Sequence, residues 1–186
     1  MKQDYPGTSR WVATICFSAF STILALILTA GLSVVQAQTY TMGSGVAVDG
    51  ATVMTCSGTF FDSGGEFGDY SSNEDTEVTF CADNGGQIRF SFQEFQVERQ
   101  GGGGPGGGGG VTTNCFDRFF LYDGTSTIGT TVLLNGVCSN GALPSDFTST
   151  TGCLHVRFTS DGPQNRDGWE IDISCTAPLG PNDYVM

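Results

Sequence analysis

The chain has 186 residues, enough for one mid-sized domain with its own core. Only 14% of the residues are charged, yet acidic side chains outnumber basic ones 19 to 7, giving a formal net charge of −12. That balance repels a phosphate backbone, so it excludes nucleic acid as the expected partner and favours basic groups or divalent cations.

At the N-terminus, Lys2 and Arg10 precede an apolar run from Trp11 to Val35, and Val35-Gln36-Ala37 offers small residues at a cleavage position. Residues 1–37 therefore read as a secretory signal, cleaved after Ala37. The run is about 25 residues long, enough to span a bilayer as a helix, so a retained membrane anchor is the alternative. In either case the remainder is exported. Without residues 1–37 the chain holds five Arg and no Lys against 18 acidic residues, a net charge of −13. Six cysteines remain: Cys56, Cys81, Cys115, Cys138, Cys153 and Cys175. An even count in an exported chain predicts three disulfides. Zinc is disfavoured, because there is no Cys-x-x-Cys pair and His155 is the lone histidine.

Residues 38–55 read as a lead-in strand region. From there on, short runs rich in Thr, Val, Phe and Ile alternate with Gly, Asn, Asp and Ser clusters, which is the pattern of a sandwich or barrel. Ile88, Phe90 and Phe92 share one face of a strand. The segment GGGGPGGGGG at 101–110 has no side chains to bury and reads as an expanded surface loop. It is not a phosphate cradle, since no Lys, Ser/Thr or helix start follows it. Leu154, Val156 and Phe158 alternate with polar residues, as do Trp169, Ile171 and Ile173. One apolar and one polar face per strand predicts an all-β, two-sheet antiparallel sandwich. No amphipathic helix is expected after residue 37. The last two runs flank a polar loop, Ser160 to Gly168, and are expected to pair antiparallel, which would bring Cys153 against Cys175. Residues 176–186 read as an extended tail.

Four stretches in this order carry a family resemblance. They are the pair Cys56 and Cys81, GGQIRFSFQEFQVE from Gly85 to Glu98, NCFDRFFLYDG from Asn114 to Gly124, and FTSDGPQNRDGW from Phe158 to Trp169. Over residues 56–175 the chain resembles a CUB domain, an extracellular jelly-roll-type β-sandwich module, in a form similar to versions in large secreted bacterial proteins. The resemblance implies bridges Cys56–Cys81 and Cys115–Cys138 beside Cys153–Cys175. The sequence departs from the family in its glycine insertion, its third disulfide and a stretch after Cys115 that is one residue short.

A subset of that family holds calcium at one end of the sandwich. The resemblance places its ligands at Glu98, Asp117 and Asp161, with the Tyr70 hydroxyl as support, and backbone or side-chain oxygens near Pro163 and Gln164 are the candidate further ligands. All three principal positions are acidic, and clustered carboxylates suit a hard cation that takes six to eight oxygens. Solvated loop acids with no shared site are the plainer reading. Asp123 is expected to serve a turn and Trp169 the core. The acids Asp62, Glu66, Asp69, Glu74, Asp75 and Glu77 read as a hydrated loop or a weaker second cation site. A catalytic triad has no support from one histidine. The expectation is a secreted, non-enzymatic, calcium-dependent adhesion module engaging Lys or Arg of an extracellular protein. The alternatives are a carbohydrate-binding module using Tyr70 or Tyr122, and a self-associating surface component.

Overall fold

The computed structural model describes residues 38–43, 48–101, 110–162 and 164–178. The expected signal or anchor at 1–37, most of the glycine segment and the end of the tail lie outside the described residues. Eleven strands follow in chain order: β1 (Thr39–Thr41), β2 (Thr52–Met54), β3 (Ser57–Phe61), β4 (Asp75–Cys81), β5 (Ile88–Val97), β6 (Arg118–Asp123), β7 (Thr131–Val137), β8 (Ser139–Asn140), β9 (Phe147–Thr148), β10 (Cys153–Thr159) and β11 (Gly168–Cys175). One 3-10 turn at Gly65–Phe67 is the only helical element among the described residues.

The strands form two sheets, ordered β1-β3-β11-β5-β8, with β9 also on β5, and β2-β4-β10-β6-β7. The pairings are antiparallel except at two edges, where β1 runs parallel to β3 and β2 parallel to β4. The expected wholly antiparallel arrangement is thereby corrected. Strands β1 to β4 alternate between the sheets, so same-sheet neighbours are separated by an excursion through the opposite sheet, and two reversals restore the direction.

The alternating apolar residues meet in the middle. Phe60, Phe90, Trp169 and Ile171 from one sheet pack with Phe80, Phe119, Val156 and Phe158 from the other, all essentially without solvent contact. Tilted and edge-on ring contacts cross the interface, among them Phe60–Phe80 at 4.9 Å and Phe119–Trp169 at 5.0 Å between centroids. Strand β5 carries a bulge. Its register with β11 slips after Phe92, because Ile171 opposes Phe92 while Glu170 opposes Glu94. The extra residue, Gln93, shifts the alternation so that Phe95 and Val97 face the core in place of Glu94 and Gln96. Glu98 follows the end of β5 at the rim.

The expected pairing of the last two long strands does not occur. Strand β10 lies between β4 and β6, whereas β11 lies between β3 and β5 in the other sheet. Residues 160–167 are therefore a crossover at one end of the sandwich. Alternation reveals which side chains of a strand face the core, but not which of the two sheets the strand joins. The disulfides follow the true neighbours. Cys153 is in register with Cys81 and bonded to it, with Cα atoms 4.1 Å apart. Cys175 is bonded to Cys56, just ahead of the adjacent strand, at 5.0 Å. These two bonds replace the expected Cys56–Cys81 and Cys153–Cys175 bridges. Cys115 and Cys138 are joined to each other, at 5.7 Å.

Candidate metal centre

Three segments converge at the end of the sandwich where the crossover runs. Glu98 follows β5, Asp117 precedes β6, and Asp161 lies in the crossover after β10. The first two are locked together through the main chain, since the N–H groups of Phe116 and Asp117 both donate to the Glu98 carbonyl, at 3.2 and 3.3 Å. The crossover is clamped by the segment before β4. Tyr70 N–H donates to the Arg166 carbonyl at 3.1 Å, and Asn73 N–H donates to the Asp161 carbonyl at 2.8 Å. Ser160 Oγ accepts Glu74 N–H and donates to the Ser71 carbonyl. Asn73 adopts a left-handed conformation, φ 59°, which Asn tolerates better than most residues.

These constraints bring one carboxylate oxygen from each of Glu98, Asp117 and Asp161 within 4.8 Å of one another. Glu98 and Asp117 are buried and Asp161 is exposed. Asp117 is held from both sides: its Oδ1 accepts Asp161 N–H at 2.8 Å and its Oδ2 accepts the Tyr70 hydroxyl at 2.5 Å. The same hydroxyl accepts Glu98 N–H at 3.1 Å. Tyr70 thus ties two of the three acids together from the core side, its ring packed edge-on against Phe158. Gln164 lies exposed in the crossover, three residues after Asp161.

Burial pushes the pKa of Glu98 up, and the neighbouring charges of Asp117 and Asp161 push it further. Asp117 is also raised, first by burial, with the hydrogen bonds from Tyr70 and Asp161 pulling the other way. Arg166, which sequence reasoning missed, offsets part of this: its Nη2 lies 3.8 Å from Glu98 Oε1. The residues fit a hard divalent cation. Three anionic oxygens converge, two of them desolvated and mutually repelling, and a bound cation would relieve that repulsion while taking its further oxygens from carbonyls and water.

Other candidates fall elsewhere. The acidic run does not form one site. Asp62 is buried and accepts the N–H groups of Gly64 (2.7 Å) and Trp169 (3.1 Å), Asp75 pairs with Arg157 at 2.8 Å, and Glu77 approaches His155. Asp123 is buried and its two oxygens accept the N–H and hydroxyl groups of both Thr150 and Thr151, which pins the β9–β10 connection. His155 is buried on the outer side of its sheet, with Nδ1 2.9 Å from the Thr79 hydroxyl. Tyr70 and Tyr122 are 0% and 7% exposed, so neither presents a ring to a sugar.

No family model matches the chain, and no curated protein sequence does. Solved structures are similar in fold. The CUB1-EGF-CUB2 domain of human MASP-1/3 superposes with a TM-score of 0.51 at 16% identity, covering 70% of this chain and 43% of that one. The MASP-1 CUB2 domain bound to Ca2+ gives 0.47 at 14% identity, covering 68% and 98%. The full extracellular region of zebrafish Adgrg6 gives 0.45 at 21% identity, covering 68% and 14%.

Proposed function

The fold is a CUB-like β-sandwich, and we propose that it serves as an extracellular binding module whose calcium site orders the end that meets a basic partner. The convergence of Glu98, Asp117 and Asp161 carries this reading. In it, the three carboxylates hold calcium, and the Tyr70 hydroxyl fixes the orientation of Asp117. The ion supplies charge neutralisation and a fixed junction between the 98, 117 and 161 segments. Carboxylate oxygens left on the exposed side then pair with a Lys or Arg of an extracellular protein. In a partly shielded site such a pair outweighs an ordinary surface salt bridge.

The reading is binding rather than catalysis: the lone histidine is buried against Thr79, away from the acid cluster. The glycan alternative loses Tyr70 to the core, and Tyr122 is covered on the outer face beside Phe120 and His155. Self-association by strand addition is opposed at β7, the long edge strand, where two register shifts against β6 bend the edge away from regular pairing.

The test is calorimetric calcium titration of the full chain, with thermal melts in calcium and in chelator. Micromolar-to-millimolar binding with a raised melting temperature is expected. Asp161→Ala should abolish both the ion and the binding of a lysine-rich peptide. Peptide binding that survives this change, or a wild-type chain that takes up no calcium, would overturn the reading.

A further inference from the structure

Arg166 stands at the acid cluster without being one of its expected members. Its side chain is 37% exposed, and Nη2 lies 3.8 Å from Glu98 Oε1, longer than a close ion pair. The side chain also donates a 3.3 Å hydrogen bond from Nη1 to the carbonyl of its neighbour Asn165. Its main chain, by contrast, is fixed, since the Arg166 carbonyl accepts Tyr70 N–H. The backbone therefore delivers a cation to the site while the side chain is only loosely held there. The described residues contain five Arg and no Lys, and two of the other four Arg are committed elsewhere, Arg89 to Asp146 and Arg157 to Asp75.

Charge counting gives this placement a meaning. Three ionised carboxylates carry −3, and Arg166 brings the local total to −2, which one divalent cation neutralises. With calcium bound and Arg166 on Glu98, nothing remains to attract a further basic group. With Arg166 swung outward, the calcium-loaded cluster keeps one negative charge for a partner's cation.

We propose that Arg166 is an internal competitor at this site, pairing with Glu98 in the free domain and opposing the entry of other cations until it is displaced. The proposal rests on the calcium reading of the site and names how that site is regulated. Arg166 is a positioning residue here and makes no contact with the ion.

The test compares wild type with Arg166→Gln and Arg166→Lys in calcium titrations and in melts in chelator. Removing one positive charge near the site should tighten calcium binding roughly ten-fold at low salt, with the gain shrinking at high salt. The same Gln variant should melt lower in chelator, because its three carboxylates lose their counter-charge. These opposite signs in the metal-free and loaded states are what a merely structural role would not produce. Arg166→Lys should restore wild-type behaviour. If wild type binds calcium and Arg166→Gln binds it no tighter, this inference alone falls. If neither binds, the calcium reading falls and takes this one with it. Binding by Arg166→Gln alone would likewise overturn the calcium reading of the wild-type chain, and this inference with it.

Discussion

Asp62 lies just past β3 with no solvent contact, its carboxylate set against Gly168 and the N–H groups of Gly64 and Trp169. Burial, assisted by the charge of Glu74, outweighs those hydrogen bonds and pushes its pKa from 3.8 up to about 7. Because the folded-state value lies above the unfolded one, the fold prefers the protonated acid. The stability tied to it is complete below about pH 3.8 and is lost as pH rises through about 7. A rise of about 3 units at ~1.36 kcal/mol each amounts to ~4 kcal/mol, a large part of a typical domain's 5–15 kcal/mol. Glu74, Glu98, Asp117 and Glu170 are shifted the same way, and Asp75, Asp123 and Asp146 the opposite way, so the absolute pH profile mixes several groups. The comparison that isolates Asp62 is with Asp62→Asn, a neutral stand-in for the protonated form. Urea unfolding of both chains, disulfides intact and in chelator, should be run from pH 4 to pH 8. The variant should lose about 4 kcal/mol less stability than wild type across that range. Parallel profiles for the two chains would refute the argument.

Three further outcomes rest on individual contacts. Gly168→Ala should destabilise by about 4 kcal/mol or more in urea: φ is +72°, and the added Cβ would collide with Asp62 Oδ2, forcing the carboxylate off both N–H groups. Asp123→Asn should cost about 2–4 kcal/mol at neutral pH, since Asp123 accepts four donors from Thr150 and Thr151. Those hydrogen bonds lower its pKa despite its burial, so their stabilisation is present at neutral pH and is lost as pH falls through the depressed value, as acid unfolding would show. Tyr70→Phe should weaken calcium binding in a calorimetric titration without abolishing it, because it removes the hydroxyl that orients Asp117 and meets Glu98 N–H while keeping the ring against Phe158.

The core was legible because alternation is a one-strand property. Ile88, Phe90, Phe92, Leu154, Val156, Phe158, Trp169, Ile171 and Ile173 all turn inward. Sheet membership is a relation between strands, and nothing in residues 153–175 marks residues 160–167 as a crossover rather than a hairpin loop. The disulfide pairing failed there for that reason. The clustering of the three acids was anticipated by family resemblance, not by spacing, since 98, 117 and 161 are distant in sequence and the crossover brings Asp161 to the other two. Arg166 went unnoticed because a charged loop residue looks solvated until its neighbours are known. The bulge at Gln93 was equally hidden, although it decides that Phe95 and Val97 turn inward just ahead of Glu98.

The Cys56–Cys175 bond has a mechanical side. It joins the residue ahead of β3 to the last residue of β11 across 119 residues of sequence, with Cα atoms 5.0 Å apart. A tension applied at residues 55 and 176 runs through that covalent link and bypasses β3 to β11, whereas β1 and β2, which precede Cys56, lie outside its protection. Unlinked, the same stretch would extend to roughly 400 Å at about 3.4 Å per residue. With the bond closed, β3 to β11 are shielded from pulling along the chain. A load introduced through a partner held at the acid cluster would instead shear the crossover against the segment before β4, to which hydrogen bonds tie it.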